Sequence, residues 1–443
     1  MDVARLNFSH GSPASRAAAA VAVRRSAAAA GQPVAILADL AGPKIRLGEL
    51  SRGTVALAAG RPFRLSARGA GKPSGSDGAT VSYQRIADDL RPGDRVLLAD
   101  GAAELRVTAV QDGMVDTEVV RGGTIRSRAG VSIPSERLTT SALTAKDRAD
   151  VPRALGLEVD LIAQSFVRRA EDIGTLRDLL GTDGPLIVAK IETRAAVDDF
   201  DRILDAADAV MIARGDMGVE LPYEEVPIIQ KQLVRRALDR GVPSIVATQM
   251  LESMLASPRP TRAEASDVAN AVFDGADAIM LSGETAIGEY PILAAEAAVR
   301  ICRLCEQRGS EHLAAGAPPS GETDAGALAY AAVALAAAET DIVGIACYTR
   351  TGSTARILSS LRPRVPIFAF SPDPSVVARL ALVYGVVGRT CVAETATADR
   401  LGLMAWLLSE SRSVPAGAAV VLVASTAAAG SGPNLLEVHR VPS

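Results

Sequence analysis

The sequence has 443 residues, of which 48% are hydrophobic and 22% are charged, and its formal net charge is −4. A chain of this length is expected to form two or three domains. It has no basic block of the kind that follows a nucleic-acid backbone, no run of eighteen apolar residues and no signal-peptide layout. We therefore expect a cytoplasmic protein that binds neither nucleic acid nor a membrane.

Polar side chains close the first apolar run of the chain. The run VARLNF (3–8) predicts a strand, and Arg5, Asn7, Ser9 and His10 crowd its end. A polar cluster at the end of a strand is typical of a functional site. We therefore expect these residues to face one.

The stretch 49–133 differs in composition from the sequence before it. It is rich in Gly, Thr, Val and Arg, and it holds short alternating runs such as GDRVLLADG and GMVDTEVVRGG. Alternation with a period of two predicts half-buried strands. We therefore expect a small β-barrel domain inserted after the second strand of the chain.

From Pro134 to about Ile301, a short apolar run, a polar end and a helical segment recur. Runs rich in Val and Ile between helices predict parallel strands that are buried on both faces. Seven such runs are found in the chain: 3–8, 33–40, 159–166, 185–192, 207–216, 243–250 and 276–285. A doubly wound sheet is the alternative, but it would use only the strand ends beside a switch point. Seven polar strand ends favour an α/β fold of the TIM (β/α)8 type, because all strand ends of a barrel meet at one face.

A linker rich in Gly, Pro and Ser at 308–324 separates the barrel from the rest of the chain. After it, strand and helix patterns alternate again and predict a C-terminal α/β domain. The predicted domains are a catalytic barrel (1–48 and 134–312), an inserted β lid (49–133) and the C-terminal domain (322–443).

Two motifs at neighbouring strand ends carry charged residues. In AKIE, Lys190 and Glu192 are two residues apart on a strand and point to the same side, and in ARGDMG, Asp216 follows the next strand. Two carboxylates on adjacent strands suit Mg²⁺, which fills its other positions with water and substrate oxygens, and Mn²⁺ is the alternative metal. Lys190 would then present a fixed positive charge to a phosphoryl group. The other interpretation is a Lys–Glu pair that only closes the top of the barrel.

Two further strand ends have more than one interpretation. Thr248 ends the run PSIVATQM, and Ser282 and Glu284 end the run ADAIMLSGET. Ser282 and Glu284 form either a proton-carrying pair or the N-terminal cap of a helix. Glu264 lies three residues after Thr261, and a capping box explains this spacing without any function.

Six stretches together resemble the pyruvate kinase family: ARLNFSHG, DLAGPKIR, AKIE, ARGDMGVE, ATQMLESM and PRPTRAEASDVANAVFDGADAIMLSGETAIGEYP. They occur in the order and at the spacing of that family. The similarity covers most of 1–312 and continues more weakly toward the C-terminus. It implies transfer of the phosphoryl group of phosphoenolpyruvate to ADP, followed by protonation of the enolate to pyruvate, in a homotetramer.

The resemblance also implies roles for individual residues. Glu192 and Asp216 would hold the Mg²⁺ that grips phosphoenolpyruvate, Lys190 would neutralise the phosphoryl group during transfer, and Arg5 would bind the substrate phosphate. The residues that would face the nucleotide are Asn7, Phe8, Ser9, His10 and Arg46. The inserted domain would be a mobile lid that excludes water.

By the same resemblance, the backbone around Gly215 and the Thr248 side chain would orient the substrate carboxylate. Thr248, Ser282 and Glu284 lie where the family protonates the enolate, although the sequence does not identify the donor.

The chain departs from the family at three positions. Ala129 stands where a nucleotide-binding Lys is usual, with Arg128 before it, and Ala41 stands where Lys is frequent. Lys44 replaces the Glu of the potassium-dependent members, and its ammonium could itself supply the monovalent charge. The requirement for K⁺ therefore stays open. The residues that match the potassium ligands of the family are nevertheless present: Asn7, Ser9, Asp39 and the Leu40 carbonyl.

The segment TRTGST lies between a predicted strand and a helix of the C-terminal domain. Its residues are Thr349, Arg350, Thr351, Gly352, Ser353 and Thr354. Backbone N–H groups at such a turn favour an anion, and the family binds a phosphorylated effector here. A plain strand–helix turn explains the segment equally well.

Two other functions stay open. A Mg²⁺-dependent lyase or mutase would act on phosphoenolpyruvate or pyruvate without ADP, and an impaired paralogue would bind metabolites without turnover.

In the family, VARLNFSHG is the second barrel strand, and Met1 stands roughly where the preceding helix meets it. We therefore expect an N-terminally shortened barrel that lacks its first strand and leaves two unpaired sheet edges.

Overall fold

The computed structural model describes residues 1–67, 77–309, 312–313, 324–393, 397–411, 413–424 and 433–441. Most of the predicted linker at 308–324 lies outside these residues.

A βαβ unit begins the chain. Its elements are β1 (Val3–Asn7), α1 (Pro13–Ala30) and β2 (Ala35–Asp39). The helix begins after Ser12, whose side chain accepts a hydrogen bond from the Ser15 N–H, and Pro13 occupies the first helical position. It ends at Gly31, which has φ +60° and can adopt this left-handed conformation because it lacks a Cβ.

The inserted region consists mainly of short strands. Its elements are β3 (Thr54–Leu57), β4 (Pro62–Ala67), β5 (Gly78–Val81), α2 (Ile86–Asp89), β6 (Arg95–Leu98), β7 (Ala103–Gln111), β8 (Met114–Arg121), β9 (Gly123–Arg126) and β10 (Val131–Ser132). Six strands form a sheet in the order β10-β6-β7-β8-β4-β5, and β3 pairs with β9. Side chains such as Phe63, Leu65 and Val107 alternate into a core of its own.

The barrel region continues with alternating helices and strands. Its elements are α3 (Ala145–Leu155), β11 (Leu161–Gln164), α4 (Ala170–Leu180), β12 (Leu186–Ile191), α5 (Arg194–Asp198), α6 (Phe200–Ala206), β13 (Ala209–Ala213), α7 (Arg214–Glu220), α8 (Val226–Asp239), β14 (Ser244–Ala247), α9 (Arg262–Asp274), β15 (Ala278–Met280), α10 (Gly283–Ala286) and α11 (Pro291–Arg308).

The seven predicted barrel strands are confirmed. They form one parallel sheet in the order β1-β2-β11-β12-β13-β14-β15. Within the described part of the chain, β1 and β15 are the two ends of this sheet and do not pair with each other. The curled sheet is therefore an open half-barrel. Strand β13 is buried along its whole length, whereas β15 is only half-buried because it has a single neighbouring strand.

Two apolar cores lie on the two faces of the curled sheet. The outer face packs against the helices through side chains such as Ile36, Ile162 and Val210. The inner face, which includes Leu37 and Met211, packs together with Leu382 from the C-terminal region. Because the strands are buried on both faces, their sequences are mostly apolar, and their polar residues lie mainly toward the carboxyl ends.

The C-terminal region forms a second sheet. Its elements are α12 (Asp324–Ala338), β16 (Ile342–Tyr348), α13 (Ser353–Ser360), β17 (Ile367–Ser371), α14 (Pro374–Leu380), β18 (Val386–Thr390), α15 (Thr397–Glu410), β19 (Ala419–Ala424) and β20 (Leu435–Arg440). The sheet order is β18-β17-β16-β19-β20, parallel except for the last pair. Apolar clusters lie on both of its faces, which confirms an α/β domain. Over the described residues, no helix is both long enough and apolar enough to cross a bilayer.

A buried ion pair joins the C-terminal region to the half-barrel. Arg362 lies 3.0 Å from Asp277, which precedes β15, and the two side chains are only 7% and 6% exposed. Asp277 also accepts a hydrogen bond from the Tyr384 N–H at 3.2 Å, and the Arg362 guanidinium stacks over the Tyr384 ring. This contact fixes the amino end of β15 against the C-terminal sheet.

A second set of contacts holds the segment through which the chain returns from the lid to the barrel. The Arg168 guanidinium donates to the carbonyls of Leu138 and Thr140. Glu220, at the end of α7, accepts hydrogen bonds from the N–H and the hydroxyl of Ser135. Burial raises the pKa of Glu220, and the hydrogen bonds from Ser135 offset only part of this effect.

Candidate active site

Most of the predicted site residues lie at the carboxyl ends of the half-barrel strands. Asp39 ends β2, Glu192 directly follows β12, and Asp216 lies in the first turn after β13. Thr248 and Ser282 follow β14 and β15. Because the strands are parallel, these ends meet at one edge of the sheet, as in other barrels.

Lys190 is the charged centre of this edge. Its side chain is 9% exposed, and its Nζ lies 2.8 Å from Glu192 Oε1 and 3.3 Å from Asp39 Oδ1. Burial alone would lower the pKa of Lys190, but the carboxylates of Glu192 and Asp39 outweigh burial and raise that pKa above its usual value. Lys190 is therefore a permanent, desolvated positive charge.

Glu192 has one oxygen committed to the backbone and one that is not. Its Oε2 accepts a hydrogen bond from the Phe166 N–H at 2.8 Å. Its Oε1 is buried and touches Lys190, but it accepts no well-aligned hydrogen bond from a described residue. Burial raises the pKa of Glu192, and the Asp216 carboxylate raises it further against the opposing effect of Lys190.

These observations fit a divalent cation. A buried carboxylate oxygen without an aligned donor, beside a second carboxylate, is where a metal would relieve both desolvation and repulsion. Among the described residues, no group of three or more His, Cys, Asp and Glu side chains could hold a metal. Mg²⁺ takes one or two protein carboxylates beside phosphate and water oxygens, and Glu192 and Asp216 are two carboxylates at this edge that interact with each other.

Arg5 is anchored by Asp39. The Arg5 Nε and a terminal nitrogen lie 2.7 and 2.6 Å from the same carboxylate oxygen. Burial would raise the pKa of Asp39, but Lys190 and Arg5 lower it below its ordinary value. Asp39 therefore links two positive side chains, and the Arg5 side chain stays 24% exposed.

Gly215 and Thr248 are brought into direct contact. The Gly215 N–H donates to the Thr248 hydroxyl at 2.7 Å, and a Cβ at position 215 would lie 3.3 Å from the same oxygen. Thr248 has φ +73°, an unusual conformation for a β-branched residue that is frequent at functional sites. Arg214, which also bonds to Asp267 at 2.6 Å, donates to the Thr248 carbonyl and holds this turn.

Glu284 and Ser282 connect two strand ends. The buried Glu284 carboxylate accepts hydrogen bonds from the N–H groups of Leu251, at 3.1 Å, and Ser282, at 2.7 Å. Ser282 precedes α10, but its side chain does not cap that helix. The pair therefore shapes the loops next to Thr248, and its role in proton transfer stays a prediction.

Four of the predicted nucleotide residues, Asn7 to His10, begin at the last residue of β1 and form a tight loop. The Asn7 side chain accepts from the Ser9 N–H at 2.9 Å, Phe8 is buried, and His10 is exposed. Two residues that the sequence did not single out hold this loop. Arg16 donates to the His10 carbonyl at 2.7 Å and stacks on Phe8, and Lys146 donates to the Phe8 carbonyl at 2.8 Å.

Arg46 lies just before the inserted region and forms a β-bridge with Gly130. Its guanidinium donates to the Arg128 carbonyl at 3.2 Å, and the Arg128 side chain forms an exposed ion pair with Glu49 at 2.6 Å. Ala129 is buried, so its methyl group belongs to the lid core. Lys44 is exposed.

Three of the predicted potassium donors, the oxygens of Asn7, Asp39 and Leu40, already have a protein partner. Asn7 Oδ1 accepts from Ser9, the Leu40 carbonyl accepts from the Ser165 hydroxyl at 2.7 Å, and Asp39 pairs with two cationic side chains. Asp39 therefore has less negative charge to offer to K⁺ than its carboxylate alone suggests.

The predicted effector segment is a strand–helix turn between β16 and α13. The Thr349 hydroxyl accepts from the Gly352 N–H at 2.9 Å, and Gly352 has φ +85°. Thr349 and Thr354 are buried, whereas Arg350, Thr351 and Ser353 are exposed.

Ser165 is the main site residue that sequence reasoning missed. It directly follows β11, it is 2% exposed, and its hydroxyl accepts from Lys190 Nζ at 2.7 Å. The rule that selected the other residues, a polar side chain at a strand end, also applies to the QSF that closes the run 159–166.

Comparison with known families matches both parts of the chain. A model described as "Pyruvate kinase, barrel domain" matches residues 1–295, and one described as "Pyruvate kinase, alpha/beta domain" matches residues 326–439. A crystal structure of a pyruvate kinase from Cryptosporidium parvum superposes with a TM-score of 0.91 and 32% identity, covering 100% of this chain and 91% of that one.

Curated relatives agree along the whole chain. A pyruvate kinase from Mycobacterium intracellulare is 40% identical over 447 residues, covering 100% of this chain and 93% of the relative. A pyruvate kinase from Geobacillus stearothermophilus is also 40% identical and covers 100% of this chain and 76% of the relative. Matches of this extent, on a half-barrel whose strand ends carry Lys190, Glu192 and Asp216, establish that the chain belongs to the pyruvate kinase family.

Proposed function

We propose that this chain transfers the phosphoryl group of phosphoenolpyruvate to ADP. An ADP oxygen forms a bond to phosphorus, the bond from phosphorus to the enol oxygen breaks, and the electron pair stays on that oxygen. Protonation of the resulting enolate at carbon then gives pyruvate. The observation that carries the proposal is the buried Lys190 ammonium between Glu192 and Asp39, beside Asp216.

Phosphoryl transfer depends on position and charge more than on a strong nucleophile. Lys190 supplies a fixed positive charge in a water-poor site, where it stabilises negative charge on the transferring group. Arg5, held by Asp39 from behind, presents a second positive charge to the substrate phosphate. Because both side chains are oriented before the substrate arrives, little reorganisation is needed during transfer.

Glu192 and Asp216 would hold Mg²⁺, with Mn²⁺ as the alternative. The bound cation would supply positive charge to the phosphate oxygens of the substrate. The buried Oε1 of Glu192, which contacts only the Lys190 ammonium among the described residues, and the raised pKa of Glu192 support this assignment. Turnover without added K⁺ is also part of the proposal, because Lys44 stands where the potassium-dependent members have Glu and Asp39 is already paired with Arg5 and Lys190.

The carboxylate of the substrate would bind at the Gly215–Thr248 contact, and ADP would bind at the Asn7–His10 loop with Arg46. The left-handed turn at Thr248, fixed by Arg214, supports a positioning role there. Closure of the β lid over this edge would exclude water, so that hydrolysis does not compete with transfer.

Steady-state kinetics with phosphoenolpyruvate, ADP and Mg²⁺ test the proposal. We expect pyruvate and ATP to form in equal amounts and no pyruvate to form without ADP. Consumption of phosphoenolpyruvate without ADP would instead identify a lyase or a mutase. Binding of both substrates without turnover would identify an impaired paralogue.

The resemblance further suggests a cytoplasmic homotetramer with an effector site at Thr349–Thr354. Exposed apolar side chains beside and on α11, such as Ile287 at 84% and Ile292 at 72%, support an assembly that covers them. Sedimentation velocity tests the tetramer. Kinetics with and without phosphorylated metabolites, repeated on Ser353→Asp, test the effector site.

A further inference from the structure

One hydroxyl group links three strand ends of the site. Ser165 Oγ lies 2.7 Å from Lys190 Nζ, 2.7 Å from the Leu40 carbonyl oxygen and 3.4 Å from Asp39 Oδ1. Ser165 follows β11, Leu40 follows β2, and Lys190 lies on β12. The Ser165 side chain therefore bridges β2 and β12, the two strands that flank β11 in the sheet.

The chemistry of the partners fixes the direction of each hydrogen bond. A carbonyl oxygen can only accept and an ammonium group can only donate. The single Ser165 proton must therefore point to Leu40, the nearer acceptor, and a lone pair must face Lys190. If the hydroxyl rotated away, the Leu40 carbonyl would lose this donor in a buried site, and the ammonium would keep only its two carboxylate partners.

Ser165 differs in charge from the other two neighbours of the ammonium. Glu192 and Asp39 hold Lys190 but also neutralise part of its charge. Ser165 accepts a hydrogen bond without bringing negative charge, so it fixes the direction of the ammonium and leaves its charge available. A positioning group for a cation that must act on a phosphoryl group needs this property.

The residue after Ser165 extends the same arrangement. Phe166 has φ +55°, which is uncommon for a bulky side chain, and its N–H donates to Glu192 Oε2 at 2.8 Å. Gly42 makes room for the turn, because a Cβ there would lie 2.7 Å from the Phe166 ring and 2.9 Å from Ser165 Cβ. The turn at Ser165 and Phe166 thus contacts both Lys190 and Glu192.

We propose that Ser165 is a positioning residue for phosphoryl transfer, and that its hydroxyl holds the Lys190 ammonium where the transferring group passes. The inference rests on the proposed function of Lys190. Ser165 itself touches no reacting atom, so its effect passes entirely through Lys190.

The test compares Ser165→Ala with Ser244→Ala. Ser244 is a matched control, because it is also buried, lies on β14 of the same sheet, and its hydroxyl has no hydrogen-bond partner among the described residues. We expect Ser165→Ala to lower kcat about 10- to 100-fold, the usual effect of losing a hydrogen bond to a charged group. The KM values for phosphoenolpyruvate and ADP should change little, and Ser244→Ala should keep the kcat of the unmodified chain. A kcat that is unchanged in Ser165→Ala, or lowered equally by Ser244→Ala, would overturn the inference.

A double-mutant cycle asks whether the effect passes through Lys190. In a Lys190→Met background, Ser165→Ala should change the residual kcat by less than about twofold, because there is no ammonium left to hold. If Ser165→Ala lowers kcat by the same factor in the Lys190→Met background as in the unmodified chain, Ser165 does not act through Lys190.

Crystal structures of both serine variants give a readout that does not depend on turnover. The Lys190 ammonium should be displaced or occupy several positions in Ser165→Ala and keep one position in Ser244→Ala. A Lys190 side chain that stays in place in Ser165→Ala contradicts the inference. If the unmodified chain does not convert phosphoenolpyruvate and ADP, the proposed function fails, while these structures still decide the role of Ser165.

Discussion

Replacing Lys190 by Met should affect both catalysis and stability. Methionine keeps much of the length of the side chain but removes the charge. Glu192 and Asp39, each 1% exposed, would then lose the cation that lies 2.8 and 3.3 Å from their oxygens. Breaking a buried ion pair by removing one partner costs roughly 3–5 kcal/mol of folding free energy. Removing one preorganised charge contact to a transition state lowers kcat by about 10²–10³.

Coupled-enzyme kinetics and urea unfolding measure these two effects separately. Lys231→Met is the matched control, because Lys231 also pairs with an aspartate, Asp274 at 2.5 Å, but its side chain is 53% exposed. Loss of Lys231 should cost less folding free energy than loss of Lys190, because Lys231 is half exposed and Asp274 keeps Gln230 as a second donor at 3.1 Å, and it should leave kcat unchanged. The contrary result is that Lys190→Met keeps the kcat of the unmodified chain and only raises KM for phosphoenolpyruvate. Lys190 would then bind the substrate equally in the ground state and in the transition state, and would not act in the transfer step.

Three further predictions concern the metal, the monovalent cation and pH. Glu192→Ala or Asp216→Ala should abolish Mg²⁺-dependent turnover with an unchanged circular dichroism spectrum, and a variant that keeps its Mg²⁺ affinity by titration would show that the ligands are wrong. If Lys44 and the pairing of Asp39 replace K⁺, activity in tetramethylammonium buffer should come close to that in potassium buffer, and a large saturable stimulation by K⁺ would contradict this. The raised pKa of Glu220 means that the folded protein holds this proton more tightly than the unfolded chain does. The stability it contributes is therefore present at low pH and lost as pH rises through the raised pKa. Glu220→Gln keeps an acceptor for Ser135 but cannot ionise, so it avoids this loss of folding stability at high pH. The variant should therefore gain more in Tm at about pH 8 than at about pH 5. An equal gain at both pH values would argue against a buried ionisable Glu220.

The grouping of the strand ends could be predicted, because the carboxyl ends of parallel strands always meet at one edge of their sheet. Apolar runs gave the seven strands, and adjacent strands in register bring Lys190, on β12, beside β13 and therefore near Asp216. The limits of the strands were harder to predict. The run 276–285 was predicted as a strand, but β15 covers only Ala278–Met280, because it has one neighbour and the chain turns into α10 soon afterwards.

Contacts that depend on tertiary packing could not be predicted. Arg16 lies in a helix of mostly alanine, and nothing in its neighbours shows that it donates to the His10 carbonyl. Lys146 likewise looks like an ordinary residue in the first turn of a helix, although it also holds the loop Asn7–His10. Ser165 could have been selected as a polar side chain at a strand end, but its importance depends on the position of the Lys190 ammonium.

The ion pair between Arg362 and Asp277 has a consequence for cooperativity. Separating the C-terminal sheet from the half-barrel would expose the pair and leave both charges without partners, and it would also uncover Leu382, which packs in the inner core. A pair this well shielded is weakly screened by salt. The two regions should therefore melt in a single calorimetric transition whose midpoint changes little with ionic strength, so that neither region unfolds before the other.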